Sequence, residues 1–222
     1  MARFEILSAD GSKVRFEGCP KYVGAYLKPA YLEFSQVSSP TPIDWQVGDY
    51  VDYYRTGLRY RLFSIPQATK NARKMSYGSA FVYENVQLFS ATKELEIALF
   101  RDLVPNDNGI HFSTAPDVST FEDVAGVARR IQACMDDAFP NRWIIAVANV
   151  QDNDIRNLMA ETREFSVSNG SCLSALEQIY NTWKNIGWSH TYDASSGKDI
   201  ITIGATSVRT AGNTTEVFAY GK

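Results

Sequence analysis

Cys172, His190 and Asp193 are the residues whose types and spacing best suit nucleophilic chemistry. Cys172 falls at the start of a predicted helix, where exposed backbone amides can lower the pKa of a thiol. His190 and Asp193 follow on the next predicted strand, so a Cys–His–Asp arrangement of a cysteine hydrolase is one hypothesis. Cysteine is also among the most buried residue types, and Cys172 adjoins an apolar helix face, which favours a small core residue.

Residues suited to metal or cofactor chemistry are sparse. The chain has two histidines, His111 and His190, and its three cysteines show no CxxC spacing. The acidic stretch at 152–154 lacks the glycine and distal glutamate of a calcium loop, and it predicts a turn. We find no phosphate loop, dinucleotide-binding fingerprint or GxSxG motif. The sequence therefore predicts no catalytic, metal or cofactor residues, and a protein that is not an enzyme.

The clearest pattern in the chain is residues 46–66, QVGDYVDYYRTGLRYRLFSIP. Two β-rich runs, 47–54 and 58–65, flank a short turn in which a glycine supplies backbone freedom. Nothing in this hairpin suits catalysis, so it favours a surface for assembly or binding. The candidate subunit-interface residues are Tyr53, Arg55, Arg59, Tyr60 and Arg61. Side-chain alternation along the second strand places its two arginines on one face, opposite Tyr60.

Charge and composition restrict the class of partner. From Tyr53 to Tyr83 there are six basic residues and no acidic one. This segment is either a solvated edge that resists unwanted strand pairing or a site for an acidic partner surface. The net charge of −3 argues against non-specific nucleic-acid binding. The sequence has no signal-peptide core and no run of membrane-spanning length, so we expect synthesis in the cytoplasm.

The order of elements predicts an α+β protein with an N-terminal antiparallel β-barrel or sandwich, an α/β insertion and a helix–β-hairpin module. The first domain, 1–100, carries about six strands and ends in a helix. The insertion, 101–165, begins with a loop, continues with a helix that a capping box at Ser119 opens, and ends in a buried strand. The module, 166–206, has a helix that Ser171 or a neighbour caps. For residues 207–222 two expectations stay open, a strand that returns to the first domain or the cut end of a longer chain.

Three segments resemble the tail-hub proteins of tailed bacteriophages and prophages, a family that includes baseplate hub and tail-associated proteins. Residues 47–70, VGDYVDYYRTGLRYRLFSIPQATK, resemble the early hairpin of the family, with its "GDYV…Y…G…Y.L…P…K" pattern. An "EL…F" helix follows, here beginning at Glu94. Residues 119–135, STFEDVAGVARRIQACM, are similar to the helix of its inserted domain. Residues 171–204 resemble its small module of a helix and then a hairpin.

The resemblance implies a structural role without catalytic residues. It implies a ring, commonly a homotrimer, whose β-domains continue the wall of the tail tube. It also implies contacts to distal tail and tail-tip or fibre proteins, in a virion tail that assembles in the bacterial cytoplasm. Some relatives carry a peptidase or lysozyme-like domain further along the chain, and nothing in this sequence matches one.

Two alternatives from other classes remain open. One is a carbohydrate- or surface-binding module, in which Trp45 and the tyrosine-rich hairpin form an aromatic platform. The other is a cysteine hydrolase that uses Cys172 and His190. Glycan binding that Trp45→Ala abolishes would favour the first alternative. A fully buried Cys172, or activity that persists in Cys172→Ser, would exclude the second.

Overall fold

The computed structural model describes most of the chain. The described residues are 3–7, 13–17, 20–25, 28–39, 42–53, 55–66, 74–75, 78–79, 81–106, 109–112, 117–184, 186–204 and 216–218. They form two compact units, Met1–Ala91 and Thr92–Lys222. Helices and mainly antiparallel sheets occur together, so the predicted α+β class is confirmed. No helix among these residues is both long and apolar enough to cross a membrane.

The first unit is built from β-strands. They are β1 (Arg3–Leu7), β2 (Lys13–Glu17), β3 (Lys21–Ala25), β4 (Lys28–Ser39), β5 (Tyr50–Tyr53), β6 (Leu58–Leu62), β7 (Lys74–Met75), β8 (Gly78–Ser79) and β9 (Phe81–Ser90). Seven of them form one sheet in the order β2-β1-β5-β6-β9-β4-β3. β2 also pairs with β4 through Glu17 and Ser38. This single residue pair links the β2 end of the order back to β4, and the arrangement is compatible with the expected antiparallel β-domain, although no closed barrel is found among the described strands.

The predicted central hairpin is confirmed, although its strands are shorter than the β-rich runs. β5 and β6 pair antiparallel, with Val51 opposite Tyr60. Gly57 closes the turn with a φ of 68°, a left-handed conformation that side chains with a Cβ rarely adopt. Val51, Leu58 and Leu62 are buried on the face that forms the core of this unit. Alternation of apolar residues therefore fixes which face of the hairpin turns inward.

The second unit mixes helices and small sheets. Its elements are α1 (Thr92–Ile97), β10 (Leu103–Asn106), β11 (Gly109–Phe112), β12 (Asp117–Glu122), α2 (Val124–Ala138), β13 (Trp143–Val147), α3 (Asn153–Ala160), β14 (Arg163–Ser168), α4 (Cys172–Thr182), β15 (Trp188–Asp193), β16 (Lys198–Ile203) and β17 (Glu216–Phe218). β10 pairs with β11, and β12 pairs with β14. A four-stranded sheet has the order β13-β16-β15-β17, in which β13 and β16 run parallel.

The start of α2 differs from the prediction. Ser119 and Glu122 lie in strand β12, so they do not form a capping box. Asp123 is the N-cap instead, and its carboxylate accepts a hydrogen bond from the backbone N–H of Gly126 at 2.7 Å. Phe121 also belongs to this strand and is 75% exposed. The buried stripe begins at Val124.

Regular structure occurs in two places where a loop or a turn was expected. Residues 101–118 contain the hairpin of β10 and β11. The acidic stretch at 152–154 opens helix α3, and Asp152 caps it by accepting hydrogen bonds from two backbone N–H groups. The cap of α4 is confirmed, since the Ser171 hydroxyl accepts from the backbone N–H of Ser174.

Strand pairing joins segments that were expected to form separate modules. β12 pairs with β14, and β13 pairs with β16, so the segments 101–165 and 166–206 share their sheets within one unit. The strand expected to return to the first domain, Glu216–Phe218, pairs with β15 in the second unit. The first unit ends at Ala91, so α1 belongs to the second.

Candidate functional site

One face of the central sheet combines aromatic and charged side chains. Register places Tyr50, Arg61, Phe89 and Tyr31 in a single row across β5, β6, β9 and β4. Asp52 and Arg59 form the neighbouring pair on the same face. We call the group Tyr31, Tyr50, Asp52, Arg59 and Phe89 the aromatic–arginine face. It lies opposite the core face, as the alternation of the hairpin predicted.

Arg59 organises the β5–β6 part of this face. Its Nε and Nη2 atoms donate hydrogen bonds of 2.7 and 3.0 Å to the two carboxylate oxygens of Asp52. Its guanidinium carbon also lies 3.6 Å from the centroid of the Tyr50 ring. A bidentate ion pair combined with a cation–π contact holds the long arginine side chain in one orientation. The hairpin thus holds the planar guanidinium group of Arg59 in a fixed position beside the Tyr50 ring.

The aromatic side of the face continues onto β9 and β4. The ring centroids of Phe89 and Tyr31 are 5.3 Å apart, and Phe63 contacts Phe89 edge to face at 6.1 Å. Gln87 donates a hydrogen bond of 3.3 Å to Glu33 in the next row. The half-buried side chains here are Tyr31, Glu33, Phe63, Gln87 and Phe89. Aromatic and arginine side chains with partly exposed surface are typical of the centre of protein–protein interfaces.

The five predicted interface residues separate into two groups. Tyr53 and Tyr60 are buried on the core face, where their rings meet edge to face at 6.1 Å. Arg61 lies in the row of the aromatic–arginine face, but it is only 8% exposed. The fold of the first unit covers these three side chains, so they offer little surface to a neighbouring subunit, and the subunit contact itself stays a prediction. Arg55, exposed in the turn, and Arg59, half-buried, keep accessible surface.

Part of the basic segment lies outside the described residues, namely Lys70 and Arg73, and only the backbone is described at Lys74. Cys19 is also outside them, and His111 is described by its backbone alone.

The predicted Cys–His–Asp arrangement is not assembled. Cys172 has 0% exposure, and a hydrogen bond to the Cys134 thiol together with burial raises the pKa of its thiol. His190 pairs with Asp199, whose Oδ1 lies 2.9 Å from Nε2. Asp193 instead accepts hydrogen bonds from Ser195 and Ser196 in the turn after β15. A nucleophile needs access and a thiolate, and Cys172 offers neither.

His190 belongs to a buried polar cluster that sequence reasoning missed. The Trp143 ring lies against the imidazole, with centroids 5.6 Å apart and planes at 30°. Trp143 Nε1 donates a hydrogen bond of 2.8 Å to Glu94, which also forms an ion pair of 2.6 Å with Arg142. The side chains of Glu94, His190 and Asp199 are buried, and that of Arg142 is 37% exposed, so this cluster connects α1, β13, β15 and β16 and reaches the surface at Arg142. Its hydrogen bonds and ion pair join these elements within the unit.

The structure buries Trp45, the central ring of the aromatic platform expected for carbohydrate binding. Trp45 is only 5% exposed, and its ring meets that of Tyr83 edge to face at 5.3 Å. The Tyr83 hydroxyl bonds to the backbone of Ile43, which fixes this corner of the unit. A sugar needs an exposed ring face, so Trp45 cannot serve as its platform.

Metal-ligating side chains do not cluster in the part of the chain that the structure describes. No group of three or more His, Cys, Asp or Glu residues there could hold an ion.

Comparison of the chain with protein-family models, with curated proteins and with solved structures finds no match.

Proposed function

We propose that this protein is a structural component of a phage or prophage tail tip or baseplate hub, where it forms a ring that continues the tail tube. The observation that carries the proposal is the position of β3 at the end of the seven-stranded sheet. Among the described strands, β3 pairs only with β4. A sheet that continues from one subunit to the next needs such an edge strand.

The surface beside this edge favours association with another protein. Lys21 and Tyr22 on β3 are exposed, with 42% exposure for Tyr22. Val23 stands opposite Tyr31 on β4, so the aromatic–arginine face reaches the edge strand. Backbone pairing along β3 would supply affinity, and the neighbouring aromatic and arginine side chains would supply specificity. The resemblance of residues 47–70 to the tail-hub hairpin suggests the class of assembly.

The proposed partners follow from that class. The chain would associate with itself, as a homotrimer, and with distal tail and tail-tip or fibre proteins. Its place would be the virion tail, assembled in the host cytoplasm. Genes for a tape-measure protein and a distal tail protein beside its own gene are expected, and a neighbourhood without tail genes counts against the proposal.

The solution mass of the purified chain tests the ring. Native mass spectrometry and light scattering should give a closed oligomer, with a trimer expected. Tyr22→Asp should shift the population towards monomer, because it places a charge on the edge strand. Phe121→Asp is the matched control, since it puts the same charge at an exposed aromatic residue of the second unit. A wild-type chain that stays monomeric at all concentrations, or equal losses in both variants, would contradict the ring.

A further inference from the structure

Three asparagines in the part of the chain that the structure describes have a left-handed backbone. They are Asn85, Asn141 and Asn169, whose φ angles are 55°, 61° and 46°. Asparagine is one of the few residue types that adopt this conformation readily. All three asparagines are exposed. A residue with a side chain follows the first two, whereas a glycine, Gly170, follows Asn169.

The fold favours both residues of this Asn–Gly pair. The pair joins β14 to α4, whose N-cap is Ser171. The positive φ at position 169 restricts it in practice to Asn, Asp or Gly. A Cβ atom at position 170 would collide with the buried side chain of Val167, so glycine is needed there. The chain therefore cannot replace Gly170 without moving its surroundings.

Hydrogen bonds hold the backbone of this joint on both sides. The Asn169 N–H donates to Asp117 Oδ1 at 3.3 Å. The Gly170 carbonyl accepts from the Phe100 N–H at 3.1 Å. Neither the Asn169 carboxamide nor the Gly170 N–H forms a hydrogen bond with another described residue. The exposed carboxamide can therefore rotate towards the backbone nitrogen of the next residue, to which the chain itself tethers it.

We propose that Asn169 is a spontaneous modification site, at which deamidation in water gives isoaspartate and aspartate. The Gly170 nitrogen attacks Cγ of Asn169 and closes a five-membered succinimide, while the bond from Cγ to the carboxamide nitrogen breaks. The Gly170 amide proton passes through solvent to the leaving group, which departs as ammonia. Water then opens the ring, giving isoaspartate at the main-chain carbonyl or aspartate at Cγ. One carboxamide and one water thus become one carboxylic acid and one ammonia.

The next residue distinguishes Asn169 from the other two asparagines. A Cβ atom beside the attacking nitrogen hinders ring closure, and glycine has none. Val86 lies inside strand β9, and the Arg142 N–H donates to the Phe139 carbonyl at 3.3 Å. Gly170 is buried, but its N–H is in no hydrogen bond with the described residues, so local opening is enough to exchange its proton with solvent.

Peptide mapping of the folded full chain tests the site. The protein is incubated at mildly alkaline pH in oxygen-18 water and then digested with trypsin in ordinary water, so only conversion during the incubation carries the label. We expect labelled isoaspartate and aspartate at position 169 of the peptide 164–184, assigned by fragmentation. The peptides 75–93 and 131–142, which hold Asn85 and Asn141, are matched controls and should stay unlabelled while Asn169 converts.

Two variants isolate the charge that the reaction creates. An Asn108→Ser background removes the other Asn–Gly sequence of the chain, so anion exchange then detects the new carboxylate at position 169. Asn169→Gly in that background tolerates the left-handed backbone and should give no acidic species. The wild-type map carries the test if a variant fails to fold. Three results would overturn the proposal: no label at Asn169 when the same peptide converts fully in urea, equal label at all three asparagines, and aspartate without isoaspartate, which excludes attack by the Gly170 nitrogen.

Discussion

Nε2 of His190 lies 2.9 Å from Oδ1 of Asp199, and neither side chain has exposed surface. The bond joins β15 to β16, and His190 Nδ1 has no hydrogen-bond partner among the described residues. With the proton on Nε2, the imidazole donates a hydrogen bond to the Asp199 carboxylate. The other ring nitrogen, Nδ1, is then an acceptor, so no buried N–H of the ring is left without a partner. The pair therefore fixes one tautomer of the histidine.

Removal of Asp199 should destabilise the second unit strongly. Asp199→Ala leaves a buried N–H without an acceptor, and we expect a loss of about 3 kcal/mol in the free energy of unfolding. Asp199→Asn keeps an acceptor oxygen and should lose about 1 kcal/mol. Urea unfolding of both variants measures the difference. Equal losses would mean that the hydrogen bond to His190 contributes little.

Among the carboxylates of α1, Glu94 should contribute most to the free energy of unfolding. Glu94→Ala removes the acceptor of Trp143 Nε1 and the partner of Arg142, and we expect a loss of about 2 to 3 kcal/mol. Glu96→Ala is the matched control, because Glu96 is exposed on the same helix and pairs with Lys93. Its loss should stay below about 0.5 kcal/mol. Chemical unfolding monitored by tryptophan fluorescence compares the two. A similar loss in both variants would contradict a structural role for the buried bonds.

The N-cap of α2 allows a direct comparison between the sequence prediction and the fold. Asp123→Ala should destabilise the unit by about 1 kcal/mol, because the Gly126 N–H loses its acceptor. Ser119→Ala, at the cap that the sequence favoured, should change the stability very little, since Ser119 is an exposed residue of β12. Thermal unfolding measures both. A larger loss in Ser119→Ala would place the helix start where the sequence first indicated it.

Local patterns predicted the elements that depend on neighbouring residues. The β5–β6 hairpin has strict alternation and a glycine at its turn, so its strands and faces followed from the sequence. The Ser171 cap precedes a regular apolar stripe and was equally readable. The hairpin of β10 and β11 was missed, although Asp107, Asn108 and Gly109 between two apolar runs form a turn signal.

Contacts between distant segments decided the rest. β12 is a strand because it pairs with β14, which follows about 45 residues later, and this pairing overrides a plausible capping box. The burial of Tyr60 and Arg61 depends on β9, which adds to the other side of β6. Trp45 is covered by Tyr83, far away in the sequence. A single sequence shows which side chains share a face but not what covers that face.

Asp193, in the turn after β15, should have a carboxyl group with an unusually low pKa. Hydrogen bonds from the hydroxyl groups of Ser195 and Ser196 and from the Ser195 N–H lower the pKa of Asp193 to about 2. This pKa is below the value of about 3.9 in the unfolded chain, so the ionised Asp193 carboxylate stabilises the fold. The contribution is fully present above about pH 3.9 and disappears as the pH falls towards about 2. NMR titration of the carboxyl carbon measures it. The double change Ser195→Ala and Ser196→Ala should raise the pKa towards the ordinary value. An unchanged pKa would exclude the hydroxyl groups as its cause.

Gln132 should protect the outer edge of β13. Its amide donates to the Trp143 carbonyl at 3.1 Å and accepts from the Ile145 N–H at 2.7 Å, so one side chain takes the place of a neighbouring strand. Gln132→Ala should lose about 1 to 2 kcal/mol and expose this edge to pairing with other chains. We expect a lower unfolding midpoint and faster growth of light scattering on mild heating. Gln178→Ala is the control, because the Gln178 side chain bonds to Thr182 and Asn181 within α4. If Gln132→Ala lowers the midpoint without any increase in scattering, the amide stabilises the strand but does not block its edge.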